Sequence, residues 1–399
     1  MKHLKHFAVI AVFFLPSCTD KVEHLPTIDV EQAFIKAQEM FLSDFVERIE
    51  YSVLESSKPI DKNLKVFSSG SYLICIAYRQ IYVFDRQTGA FIREIGRYGN
   101  GPGEYTFTGE FYSETQNVTA HKDKHLLEYD LNGKLIRTIL KPETENPRSG
   151  RLTGNTFLDH NSIVYYNMNA FGEAKERLLI SDEYGDVFKT FDHFKSFIAQ
   201  RGMLSQIGPM FYHHGGHTFF FEICVDTIYH VTKDALIPHF HINMGKYLPP
   251  YEKQNMLFGP PPLQDFLINQ YFWINNIAET DRFLFFDFRH RKNSAPSDQL
   301  PDSFFGYYDK NSKIAKIADV DRNRKRRIVN DIDHFGAIQL SSWFLNEKQN
   351  EMVSYIEAVD IAEWFENNPQ KAKELPDHLQ KLSQLNSTDN PVVVIAKLK

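Results

Sequence analysis

Gln80-Ile-Tyr-Val-Phe-Asp85-Arg-Gln-Thr-Gly89-Ala-Phe-Ile-Arg-Glu-Ile95 reads as strand, tight turn, strand. Two apolar runs flank a turn in which Asp85 can bond its own backbone and Gly89 can take a positive φ. Leu73 to Ala77 is a further apolar strand just ahead of it. The unit returns at Leu126 to Ile139, turning at Asp130 and Gly133, and at Leu178 to Phe191, turning at Asp182 and Gly185. A fourth copy, Thr227 to Phe240, turns at Asp234 without the glycine. A fifth, Phe305 to Ile317, turns at Asp309, has Arg282 to Phe288 as its inner strand, and follows a Pro-rich insertion, Lys246 to Gln270. A degenerate sixth runs from about His334 through Gly336 to Leu340 and on to Glu351 to Ile356.

Periods of roughly 40 to 50 residues carrying several short strands each describe propeller blades, because one small twisted sheet needs neighbours on both faces. The expectation is an all-β fold, a six-bladed β-propeller over residues 46–399, with a short helical segment at 360–385 and a C-terminal strand at 391–397. A pair of β-sandwiches is the competing architecture, and the near-equal spacing of one turn type favours the ring. Ile49 to Leu54 and Pro391 to Ala396 are the two apolar candidates for the closing strand. In the helical segment Asp360 and Glu363 have capping-box spacing, and Leu379, Leu382 and Leu385 mark one face.

Of the 399 residues 42% are hydrophobic and 24% charged, and 34 Phe with 19 Tyr fit a strand-rich chain. The net charge of −6 gives no global attraction to nucleic acid, so none is expected as a partner. Lys2, His3, Lys5 and His6 precede an apolar run, Phe7 to Leu15, too short to span a bilayer. Residues 1–17 thus read as an export signal. Its end, Leu15-Pro-Ser-Cys18, resembles a bacterial lipobox, which implies lipidation of Cys18; an ordinary secreted protein cut near the same place is the alternative. Residues 18–45 read as a tether and N-terminal segment, polar from Asp20 to Asp29. Cys75 and Cys224 each sit in apolar runs three modules apart and are expected to be free core thiols.

Gly96-x-x-Gly99-x-Gly101-x-Gly103-Glu104-Tyr105 resembles the glycine-rich signature that joins blades in NHL-type propellers. With Leu42 to Val46 ahead of Ile49 to Glu55, and the ending Asp389 to Val394, the chain is similar to the six-bladed NHL/TolB-like propeller lipoproteins of Bacteroidetes-type bacteria. The resemblance runs from about Leu42 to the end. It implies the fold and a lipid-anchored place in the cell envelope, at the outer membrane, on its periplasmic or surface side. It brings no catalytic residue and no cofactor.

The glycine loop could cradle a phosphate with successive N–H groups. It lacks the Gly-Lys-Ser/Thr ending of a P-loop and no helical pattern follows, so Gly96, Gly99, Gly101 and Gly103 are expected to join two blades. His213, His214 and His217 have zinc-ligand chemistry, although Gly215-Gly216 puts a turn between them. Arg322, Arg324, Lys325, Arg326 and Arg327 form the dense basic run, a candidate site for a phosphate, an acidic glycan or lipid headgroups. Asp319-Val-Asp321-Arg-Asn323 begins like a calcium loop, but Arg324 stands where the turn needs Gly and Asn330 where a bidentate Glu belongs. No nucleophile elbow or closed zinc motif occurs. The sequence therefore points to a monomeric envelope binding or scaffold module for a peptide, glycan or partner protein. The alternative is an envelope hydrolase or lyase of propeller type with a metal in its central channel.

Overall fold

The computed structural model describes residues 25–61, 63–145, 151–169, 171–198, 210–253, 270–291, 302–338, 340 and 343–399. Residues 1–17, expected to be an export signal, and Cys18 lie outside the described residues, as does much of the Pro-rich insertion.

Six antiparallel sheets surround a common axis. Blade 1 runs Lys65–Ser69, Tyr72–Ile76, Ile81–Asp85 and Phe91–Glu94, from the axis outward. Blade 2 spans Phe107–Tyr112 to Leu135–Leu140, blade 3 Arg151–Asp159 to Val187–Asp192, and blade 4 Met210–His214 to Leu236–Asn243. Blade 5 spans Trp273–Glu279 to Ile314–Ile317. Blade 6 closes the ring with strands from both ends of the chain: Trp343–Asn346, Glu351–Ile356, Val392–Leu398 and, outermost, Val46–Val53. Both candidate closing strands are thus used, with Val394 opposite Tyr51 and Val392 opposite Val53.

Strand alternation explains why the middle strands read as continuous apolar runs. Leu73 and Cys75 face blade 6, against Val353, Val393 and Ile395, while Ile74 and Ile76 face blade 2, against Val118, Ala120 and Leu127. A strand packed on both faces has no polar side to show. The same arrangement repeats around the ring, with aromatic residues filling the later interfaces: Phe219 and Phe221 against Leu284 and Phe286, then Phe283, Phe285 and Phe305 against Met352 and Val394.

The expected turns cap themselves. Asp85 Oδ1 accepts from Gln87 and Thr88 N–H, Asp130 from Asn132 and Lys134, Asp182 from Tyr184 and Asp186, and Asp309 from Asn311 and Ser312. In blade 4 the cap is Thr232, whose Oγ1 accepts from Asp234 and Ala235, rather than Asp234. A hydroxyl there replaces the carboxylate, and no glycine is needed.

Several expectations are corrected. The inner strand of blade 5 is Trp273–Glu279; Phe283–His290 is its second strand, buried on both faces. The inner strand of blade 6 is Trp343–Asn346. The polar tether ends before Thr27: Thr27–Asp29 adds in parallel to the outer strand of blade 4, with Ile28 opposite Ile242 and fully buried. Asp29 then caps the helix Val30–Ile35 by accepting from Gln32 N–H. The later helix, Ala358–Asn367, starts before Asp360, with Glu357 as N-cap and no side-chain cap, because Ala358 and Ile361 are already buried. No capping box forms. Leu379 and Leu382 pack against blades 5 and 6 with Phe335 and Ile361.

Cys75 and Cys224 are free and buried, as expected. Cys224 lies past its strand, at φ 66°.

Candidate functional site: the central channel

The inner strands of all six blades wall a cavity of about 930 Å3. Antiparallel order puts the loops between blades at one mouth and the innermost hairpin turns at the other. Phe67, Phe111, Phe211, Phe344 and Trp343 contribute aromatic wall, with Asn155, Thr156 and Asn276 between them.

Blade 2 breaks the regular wall. Its inner strand bulges between Thr108 and Phe111. Gly109 sits in the bulge so close to the second strand that a Cβ would fall 2.6 Å from the Thr119 carbonyl oxygen. The bulge lets second-strand residues Thr119 and His121 reach the channel, a common use of such irregularities.

At this inter-blade mouth Lys65 pairs with Glu110. His121 is half-buried, and its ring makes no hydrogen bond among the described residues. Burial, then repulsion from Lys141 and Lys65, takes its pKa down to about 4, so the imidazole is neutral. Burial also lowers the Lys141 ammonium, with exposed Asp123 opposing the shift; Nζ donates to the Asp123 carbonyl at 3.4 Å. Thr153 Oγ1 and Tyr165 Oη, which line the same cavity, are buried without a partner among the described residues.

The opposite mouth is acidic, with Glu114 and Glu347. Glu347 Oε1 accepts from Gly215 N–H at 2.5 Å and lies 3.0 Å from His214 Nδ1. Beneath it, buried Glu279 accepts from Tyr212 Oη at 2.8 Å, lies 3.0 Å from His239 Nε2 and 2.5 Å from Lys310 Nζ. Burial opposes its charge, but His239 and Lys310 outweigh that and bring the carboxyl to about 2.

The three histidines do not converge. His213 lies between Thr156 Oγ1, at 2.8 Å, and Thr218 Oγ1, at 3.3 Å, and burial keeps it neutral. His214 turns to Glu347, and exposed His217 meets the His230 ring at 4.6 Å. Neighbouring strand residues point to opposite faces, which is why the triplet separates. Among the described residues no group of three or more His, Cys, Asp or Glu could hold a metal.

The basic run is largely committed to structure and does not line the channel. Arg324 binds Asp302 at 2.7 Å, Arg326 binds Asp287 at 2.7 Å, and Arg327 binds Glu39 at 3.1 Å. Arg322 and Lys325 are exposed on a hairpin tip whose turn Asp321 closes by accepting from Asn323 and Lys325 N–H. In the glycine loop the anion is supplied internally: the Glu104 carboxylate accepts from Gly101 N–H at 2.7 Å. Buried Tyr105 and Tyr129 bond Arg79 and Gly103 carbonyls, and a Cβ on Gly96, at φ 63°, would fall 3.0 Å from Tyr105. The loop joins blades 1 and 2.

Sequence reasoning missed Lys65, His121, Lys141, Thr153 and Tyr165. The available signal was Gly109, a glycine inside the apolar run Phe107 to Tyr112.

In overall architecture the chain is similar to a protein of Bacteroides fragilis NCTC 9343 provisionally described as exported, with a TM-score of 0.66 at 17% identity, covering 88% of this chain and 95% of that one. A protein of unknown function from Bacteroides caccae aligns at a TM-score of 0.35 and 9% identity, over 71% and 82%. No curated protein matches. A family model described as a domain of unknown function, DUF4934, matches residues 25–397, and the chain belongs to that family.

Proposed function

We propose that this protein is a lipid-anchored propeller of the bacterial cell envelope, acting as a monomer, whose central channel binds a glycan. The observation that carries the reading is the channel itself: about 930 Å3 of space walled by six strands, with aromatic faces alternating with amide and hydroxyl groups. Apolar faces with a few directed polar groups suit a ligand that is itself amphipathic, as sugar rings are. The lipobox-like Leu15 to Cys18 and the fold shared with the Bacteroides fragilis protein support the envelope placement.

The test is a glycan array probed with the full chain and with Thr153→Trp, which places an indole in the channel. Retained fold with lost glycan binding in the variant is expected; equal binding by both overturns the channel as the site. In cell fractions, Cys18→Ala is expected to leave the membrane, and a variant that stays there overturns the anchor.

A further inference from the structure

We infer that the inter-blade mouth of the channel, at Lys141, His121 and Thr153, recognises a sugar carboxylate, so that the ligand is an acidic glycan rather than a neutral one. This rests on the reading of the channel as a glycan site and adds its charge and orientation.

Lys141 is half-buried, and among the described residues its ammonium makes only the long hydrogen bond to the Asp123 carbonyl. Partly buried ammonium groups ordinarily find a carboxylate. Lys65 has done so with Glu110, and even exposed Lys124, on the same rim, pairs with Glu143. Among the described residues Lys141 has no ion pair; exposed Asp123 acts on it only through its charge. Its charge is therefore available to a ligand.

The neighbouring groups set what kind of anion fits. Thr153 Oγ1 is a buried hydroxyl with no partner among the described residues, Tyr165 Oη is another deeper in the channel wall, opposite Asn155, and the His121 ring makes no hydrogen bond among the described residues. These can donate as well as accept, which suits a polyhydroxylated molecule better than a bare ion. Phe107 lines the same mouth and is 58% exposed, offering an apolar platform for a sugar ring. At the far mouth Glu114 and Glu347 disfavour a second carboxylate, so charge enters from the inter-blade side.

The test uses calorimetry on the full chain with two acids and their neutral counterparts: tetragalacturonate and its methyl ester, and 3′-sialyllactose and its methyl ester. The first pair carries the carboxylate within a polyuronate, the second at a chain end. At least one acid is expected to bind roughly tenfold or more tighter than its ester, with the preference weakening as salt rises. Lys141→Met should abolish that preference, and Lys141→Arg should restore it. Equal binding of acid and ester by the wild type, lost in Thr153→Trp, overturns the carboxylate and leaves the channel standing. No binding of any of the four overturns both.

Discussion

At the scale of single residues the propeller is held by turns that admit little variation. Gly89 closes the outer turn of blade 1 at φ 70°, and a Cβ there would lie 1.8 Å from the Val53 carbonyl oxygen of the neighbouring closing strand. Gly103 has nearly the same φ, 71°, but open space around it. Gly89→Ala should therefore destabilise by about 3 kcal/mol or more, against about 1 kcal/mol for Gly103→Ala, as read from denaturant midpoints at constant slope. Gly99 and Gly101 are less demanding, because what a Cβ would meet is the movable Glu104 carboxylate. Glu279 gives a second prediction. Its carboxyl titrates near 2 when folded against an ordinary 4.5, so its stabilisation is complete above pH 4.5 and is lost as pH falls toward 2. The loss should be on the order of 2 to 3 kcal/mol, and Glu279→Gln should flatten that part of a stability-versus-pH curve.

At the scale of elements the segment before the ring is part of the packed structure. Phe34, on the short helix, meets Phe272 at 4.9 Å between ring centroids, Phe304 and His290 at 5.2 Å, and Phe288 at 5.9 Å. Phe34→Ala should cost about 3 to 5 kcal/mol in the same denaturant measurement, and a loss under 1 kcal/mol would show that the segment is only draped on blades 4 and 5. This contribution was hard to read from the chain, since Thr27-Ile-Asp29 is three residues long and pairs with a strand over 200 positions away. What was legible was local and periodic: the Asp-capped turns recur because each is closed by its own side chain. The inner strands of blades 5 and 6 were hard to read for the opposite reason. Lining a channel, they mix apolar and polar residues, as in Trp273-Ile-Asn-Asn-Ile277, and give weaker signals than the doubly buried strands beside them.

At the scale of the whole molecule the same logic separates fold from site. Blade number followed from repeated turns, and the two apolar strands at opposite ends of the chain were candidates for closure that the ring uses together. The channel groups come from three consecutive blades: Lys65 from blade 1, His121 and Lys141 from blade 2 and its exit, Thr153 and Tyr165 from blade 3. No spacing in the chain links them; only the ring does. The histidine triplet and the basic run were conspicuous because they are contiguous, yet contiguity on a strand or hairpin sends side chains apart. The ligand is proposed to occupy the channel. The most direct test is a crystal of the full chain soaked with the tightest-binding glycan of the array. Difference density between Lys141, Tyr165 and Phe107 inside the ring is the predicted result; ordered glycan on the outer strands or on the Arg322 hairpin, with the channel unchanged, would contradict it.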